Sequence, residues 1–395
     1  MKKFLAVILA MTMVLALVAC GGGKSGETTQ TPTETTETTP ADNTETTPTE
    51  PAAEALRVAM ITDYGDITDQ SFNQTTYEAA KSWSEANGAD FTYFKPASDS
   101  DDDRVDMIEK AIDEGYGVIV MPGYAFGPAI VATAPEYDDV IFIALDVSAG
   151  DLGEGFEVPE NLYCAVYQEE LCGYMAGYAA VKLGYSKLGF LGGMAVPAVV
   201  RYGYGFVQGA DAAAAADGKT DVSLKYAYGN QFYGDGDITA AMDTWYADGT
   251  EVVFACGGGI FTSAAEAAAK VGGKVIGVDV DQAPTIDGQY GEGMTVTSAM
   301  KGLAATVNTL LTAVQDGTFA GGKVDTLGLV SATPEENYVQ LPMGSTQFSD
   351  SFSEADYEAL VADMYSGKVT VSNDITKTAS EMATTITVTD LGNIK

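Results

Sequence analysis

The chain has 395 residues, 56 acidic and 20 basic, giving a formal net charge of −36, and it contains no histidine. A field of that sign repels phosphate backbones, which argues against nucleic-acid binding. The missing imidazole removes Ser-His-Asp and Cys-His nucleophile systems and His-ligated zinc. Arginine occurs only at Arg57, Arg104 and Arg201, so the sequence offers no basic cluster for a strongly anionic ligand.

Lys2 and Lys3 precede an uncharged apolar run from Phe4 to Leu17. That run falls short of the roughly 20 apolar residues that span a bilayer, and it has the layout of a signal peptide. It ends in Leu17-Val18-Ala19-Cys20 followed by Gly21, Gly22 and Gly23, which resembles the bacterial lipobox. The expectation is removal of 1–19 and lipidation of Cys20 on the extracytoplasmic face of the cell membrane; an ordinary signal peptide that happens to contain a cysteine is the alternative. From Gly21 to about Ala55 the chain is rich in Thr, Pro, Glu, Gly and Ser. Such a tract cannot bury enough surface to offset its ordering entropy, and reads as a disordered, extended tether over 20–55.

From Leu56 onward short β-rich runs alternate with longer amphipathic ones. Strands are predicted at 57–62, 91–94, 117–121, 140–145, 162–166, 187–191, 223–228, 251–255, 274–278 and 294–297. Helices are predicted at 71–86, 101–114, 169–182, 201–216, 238–246, 262–271 and 301–314, with one more at 354–364. The stretch 327–340 reads as a strand pair, and the chain then ends in a Thr-rich tail. Apolar strands alternating with helices imply an α/β protein with parallel sheets covered on both faces. About 340 residues exceed one small core, so two lobes are expected. Ligands in such sheets sit beyond the carboxyl ends of the strands.

Several post-strand segments carry side chains suited to a small polar ligand. After the first strand comes Asp69-Gln70-Ser71-Phe72-Asn73-Gln74, where a helix begins near Ser71. Phe72 offers an aromatic face and Asn73 an amide; equally, Phe72 fits a hydrophobic staple at a capped helix start. Asp146 ends the fourth strand, and Asp279 and Asp281 follow the ninth. Carboxylates there suit paired hydroxyls or helix capping, and the residues alone leave both open. Cys256-Gly257-Gly258-Gly259 lets a backbone approach a ligand or forms a tight turn. The run Asp99 to Asp103 lacks the Gly and Glu of an EF-hand loop, having Arg104 and Lys110 there, and fits a helix N-terminus instead. The three later thiols, Cys164, Cys172 and Cys256, are odd in number and widely spaced, against a disulfide framework. A bridge between Cys164 and Cys172 stays open beside three buried thiols packed as apolar side chains.

Together these segments resemble the basic membrane protein family of lipoproteins, the PnrA-like solute-binding components of ABC importers. Besides Asp69 to Gln74, the resemblance rests on Gly192-Gly193-Met194-Ala195-Val196-Pro197-Ala198-Val199-Val200-Arg201, on Gly277 to Gln282, and on Thr297-Ser298-Ala299-Met300-Lys301, in family order. It implies a type I periplasmic-binding-protein fold: two Rossmann-like lobes joined by three crossing segments. The first lobe would take about 56–163 plus 298–325, and the second about 164–297 plus 326–395. It further implies a purine nucleoside held between the lobes, with Asp69 opening the motif, Phe72 stacking on the base and Asn73 at its edge. Asp146, Asp279 and Lys301 would hold base or ribose polar groups near Gly258. A one-residue shift in Tyr228-Gly229-Asn230-Gln231-Phe232 makes Phe232 the opposing aromatic, with Tyr233 behind it.

The reading is a non-enzymatic, monomeric receptor without cofactor or metal, partnered by a nucleoside-like ligand and ABC permease subunits and held at the membrane by its lipid. A sugar or other small-solute receptor of the same fold, or a surface signalling or adhesion lipoprotein, is the alternative.

Overall fold

A computed structural model of the protein describes residues 55–395. The expected signal peptide, Cys20 and nearly all of the expected tether lie outside the described residues.

The chain first forms β1 (Arg57–Ile61), β2 (Asp90–Phe94), β3 (Val118–Pro122), β4 (Ile141–Leu145) and β5 (Leu162–Tyr167). Between them lie α1 (Phe72–Asn87), α2 (Asp101–Asp113) and α3 (Gly127–Thr133). It continues through α4 (Glu169–Lys182), β6 (Lys187–Gly192), α5 (Pro197–Asp217), β7 (Ser223–Tyr228), α6 (Gly236–Ala247), β8 (Val252–Cys256), α7 (Phe261–Val271), β9 (Lys274–Asp279), α8 (Ala283–Tyr290) and β10 (Thr295–Lys301). It closes with α9 (Leu303–Gln315), β11 (Lys323–Leu327), β12 (Val339–Gln340), α10 (Glu354–Tyr365) and β13 (Thr387–Asn393).

Two sheets result. One has the order β11-β5-β4-β3-β1-β2, the other β12-β10-β9-β8-β6-β7-β13. Every pairing is parallel except β10 with β12. The central strands explain why: Val118 to Met121 and Val252 to Ala255 are fully buried, as strands covered by helices on both faces must be.

The chain crosses between the sheets three times. It leaves the first after β5, returns between β10 and α9, and leaves again between β11 and β12. Helix α9 lies with the first sheet, where Trp83 Nε1 of α1 donates to Thr312 Oγ1 at 2.9 Å. The crossings bond to one another: Gln168 N donates to Leu327 O at 2.9 Å, and Gly302 N to Tyr338 O at 2.7 Å.

Three expectations need correction. The residues at 327–340 are not a strand pair, because β11 joins the first sheet and β12 the second, and polar loop lies between. The strand Leu162–Tyr167 stands whole in the first sheet, so the chain departs after Tyr167 and not at 163/164. Likewise β10 stays in the second sheet to Lys301, beyond the expected return at 298. The Thr-rich tail supplies β13, whose polar, exposed residues hide its strand character.

Glycines decide how two helices meet. A Cβ at Gly173 of α4 would lie 2.2 Å from Tyr202 O, and one at Gly209 of α5 would lie 2.0 Å from Tyr174 O. The helices therefore touch backbone to backbone, which brings the start of α4 against α5 next to the cleft. Elsewhere the acidic run ends as a helix start: Ser100 caps α2, and Asp99 and Asp101 pair with buried Arg104. Cys164, Cys172 and Cys256 are buried, unbridged thiols, which closes the bridge left open above. Among the described residues no helix is long and apolar enough to cross a membrane.

Candidate functional site

A cavity of about 610 Å³ lies between the strand ends of the two sheets. Residues at or just after strand ends line it from both sides: Asp63, Gly123 and Asp146 from the first sheet, Asn230, Gly257 and Asp279 from the second. Among the described residues four that are not glycine have left-handed backbones, Gln70, Asp146, Asn230 and Asp279, with φ of 57°, 60°, 59° and 65°, and all four line this cavity. Each such residue costs on the order of 1 kcal/mol. At Asp146 and Asp279 that conformation turns the chain sharply off β4 and β9.

Those two carboxylates converge on Lys301, the last residue of β10. Its Nζ lies 2.5 Å from Asp146 Oδ2, 3.6 Å from Asp279 Oδ1 and 3.7 Å from Glu169 Oε1. Its side chain is 3 % exposed, so the charges interact with little solvent screening. Burial alone would depress the ammonium, but Asp146, Asp279 and Glu169 outweigh it and hold Lys301 above the usual lysine range. Glu169 opens α4 fully buried and accepts from Arg201 Nε at 2.6 Å. Burial pushes its carboxyl up, against the pull of Arg201 and Lys301. The cluster thus joins a first-lobe carboxylate, Asp146, to second-lobe groups at the crossing itself.

Aromatic faces bound the same space. The Lys301 ammonium stands 4.6 Å from the Phe72 ring centroid. On the opposite wall Phe232 rests on bare backbone, since a Cβ at Gly193 would lie 2.4 Å from its ring and one at Gly257 2.9 Å. Gly258, with φ of 51°, sits against the Phe232 carbonyl. Tyr64 faces Phe232 with ring centroids 6.4 Å apart. Tyr233, next along, is 62 % exposed at the rim.

Asp69 and Asn73 have distinct roles. The Asp69 carboxylate accepts from Ser71 N at 2.9 Å, Asn73 N at 2.9 Å and Gln74 N at 3.0 Å, and from Asn73 Nδ2 at 3.2 Å. Those bonds fasten the start of α1 and turn the Asn73 amide. Asn73 Oδ1 is left buried without a protein partner, as are Asp146 Oδ1 and the Tyr64 hydroxyl. Such groups are costly unless something donates to or accepts from them. Three such atoms belong to residues that line one cavity.

The lobes also touch directly. Ser71 Oγ donates to Asp279 Oδ2 at 2.6 Å, Gln282 Nε2 to Gln70 O at 2.9 Å, and Gln289 Nε2 to Gln70 Oε1 at 3.1 Å. Every expected site residue, Asp69, Phe72, Asn73, Asp146, Phe232, Gly258, Asp279 and Lys301, lines this one cavity. Sequence reasoning missed Glu169, Tyr202, Tyr64 and the closing role of Ser71. One signal was available: Arg201 is among only three arginines, and a partly buried guanidinium calls for a carboxylate partner.

Two parallel α/β lobes, three crossings and a cleft lined by strand ends define a solute-binding protein of the type I periplasmic fold. Solved structures share that architecture. A solute-binding protein of an ABC transporter system from Conexibacter woesei has a TM-score of 0.62 at 24% identity, covering 81% of this chain and 99% of its own. One from Aeropyrum pernix has a TM-score of 0.62 at 21% identity, covering 83% and 90%. At sequence level, the family described as Bmp, ABC transporter substrate-binding protein PnrA-like, matches residues 56–370. The chain belongs to that family, whose role is substrate capture for an ABC transporter and not catalysis. Among its relatives, the ABC transporter nucleoside-binding protein BmpA of Lactococcus lactis is 29% identical over 334 residues, 80% of this chain and 89% of the relative.

Proposed function

We propose that the protein is a lipid-anchored receptor that closes on a purine nucleoside and hands it to a membrane permease. The observation that carries this reading is the Lys301 cluster. One buried ammonium orders Asp146 and Asp279 from opposite lobes, beside the ring of Phe72, which lines the cavity. Asp146 Oδ1 remains free to accept from a ligand hydroxyl, as ribose offers, and Asn73 Oδ1 to accept from a base edge. Phe72 and Phe232 supply aromatic surface for a planar base. The name of the Lactococcus relative supports the same ligand class.

Closure would follow from a ligand contacting both lobes, a hinge motion about the three crossings. Lipid on Cys20 and a tether over 20–55 would keep the receptor, as a monomer, near its permease and raise its local concentration there. Calorimetry with inosine, guanosine, adenosine, ribose and glucose tests the ligand class. Saturable heat with a nucleoside is expected; binding of a free sugar with none for any nucleoside would overturn the proposal. Mass spectrometry of the membrane-extracted chain tests the anchor, which predicts an acylated N-terminal Cys20.

A further inference from the structure

The family match ends at residue 370, yet the chain continues in an ordered path to Lys395. Segment 371–395 is packed along α5. Ser372 N donates to Gln208 Oε1 at 2.9 Å, and Tyr204 OH to Lys377 O at 2.6 Å. Asp211 then accepts from the backbone N–H groups of Thr385 at 2.6 Å and Ile386 at 2.9 Å. Ala379, Met382 and Ile386 are buried against the second lobe, so this path is fixed by apolar packing as well.

From that anchorage β13 runs parallel to β7, with Thr387 opposite Ser223 and Asn393 opposite Tyr228. Strand β7 leads straight into the loop that carries Phe232. Ile394 N donates to Tyr228 O at 2.8 Å, the last pairing before that loop. The Lys395 ammonium then bonds Asp235 and lies 3.4 Å from Gln231 Oε1. Gln231 Nε2 in turn donates to Tyr233 O at 2.9 Å and Asp235 Oδ2 at 3.0 Å. Asp235 caps α6 through Asp237 N and Ile238 N, both at 3.0 Å. Gly193 and Gly257 back the Phe232 ring, and this network holds Gln231, Tyr233 and Asp235 on either side of Phe232 along the chain.

We propose that segment 371–395 is a strap that positions Phe232 for the ligand, with Lys395 tying the loop 231–235 to the edge of the second sheet. The placement of a ligand against Phe232 rests on the function proposed above; the strap itself does not. Lys395, with the backbone of Ile238, holds the Asp235 carboxylate below its ordinary range, at about 2.

The test compares the full chain with Lys395→Ala, Lys395→Arg and Lys270→Ala. Lys270 pairs with Asp243 and Glu266 on the same lobe without touching the loop, and serves as the control. Hydrogen exchange of the amides at 230–234 should quicken in Lys395→Ala, return in Lys395→Arg and stay unchanged in Lys270→Ala. Inosine should leave Lys395→Ala about three- to tenfold faster, with little change in melting temperature. Unchanged exchange at 230–234 overturns the strap, whatever the ligand is. Faster exchange with an unchanged inosine dissociation rate overturns its role in positioning Phe232. Failure of the parent chain to bind any nucleoside counts against the proposed function and leaves the exchange result to decide the strap.

Discussion

Ser71 and Asp279, 208 residues apart, share a buried 2.6 Å hydrogen bond that bridges the two lobes. The other Asp279 oxygen lies 3.4 Å from the Tyr202 hydroxyl and 3.6 Å from Lys301 Nζ. One carboxylate therefore serves lobe closure and the polar lining of the cavity together. A ligand that bonds Asp279 also acts on the contact that closes the cleft, so recognition and closure are linked through one residue.

Lys301→Met should be the most damaging single change in the cleft. It leaves Asp146, Asp279 and Glu169 buried with Arg201 as the remaining cation of the cluster. Breaking a buried pair from one side costs about 3–5 kcal/mol. Denaturant unfolding should show that loss, and calorimetry should show no ligand binding. Because its partners hold the Lys301 ammonium above the usual range, its stabilisation is fully present at neutral pH and is lost only on strong alkalisation. Unfolding that matches the parent chain would mean the cluster is solvated and contributes little.

Phe72→Ala separates the two readings of the helix start. If the ring stacks on a base, affinity should fall by about 1–3 kcal/mol with the fold intact. Asp69, which fastens the first turn through four N–H donors, is untouched by this change. A melting temperature that drops while affinity holds would assign Phe72 to a staple.

The alternation of strands and helices was legible because parallel strands buried on both faces are written as apolar runs, as at Val118 to Met121. The post-strand positions Asp146 and Asp279 were legible for the same reason, since the fold places strand ends at the cleft. What stayed hidden depends on distant pairing. Nothing near Glu169 announces Arg201, 32 residues on, or that both meet Lys301. Asp69 was legible as a residue of the cleft, which it lines, but its four hydrogen bonds to the start of α1 depend on a local turn that the residue types do not spell out. Strand β13 was invisible because an edge strand with exposed Thr387, Thr389 and Asp390 carries no apolar alternation.

Ser71→Ala should weaken ligand binding about fivefold, the effect of losing roughly 1 kcal/mol of hydrogen bonding. The change should appear mainly as faster dissociation, since the bond forms only when the lobes meet. Gln289→Ala, at an exposed residue donating to Gln70 Oε1, should act in the same direction with a smaller effect. Stopped-flow dissociation checks both; slower association with unchanged dissociation in Ser71→Ala would sink the closure role.

Glu170, beside Glu169 at the start of α4, predicts how stability depends on pH. It is 3 % exposed, and its Oε2 has no hydrogen-bond partner. Burial pushes its carboxyl up to about 7, with neighbouring Glu169 adding to the shift. A raised carboxyl favours the protonated folded state, so the folded protein holds a proton that the unfolded chain has already released. Stability therefore falls as pH rises from the ordinary glutamate range to about 7, and levels off above it. Glu170→Gln removes that titration. It should stabilise the protein by about 2–3 kcal/mol at pH near 8 and by little at pH near 4.5. Urea unfolding of both chains across that range measures the difference directly. A constant gap at all pH values would mean that Glu170 stays ionised in the folded state and that its environment is wetter than its burial indicates.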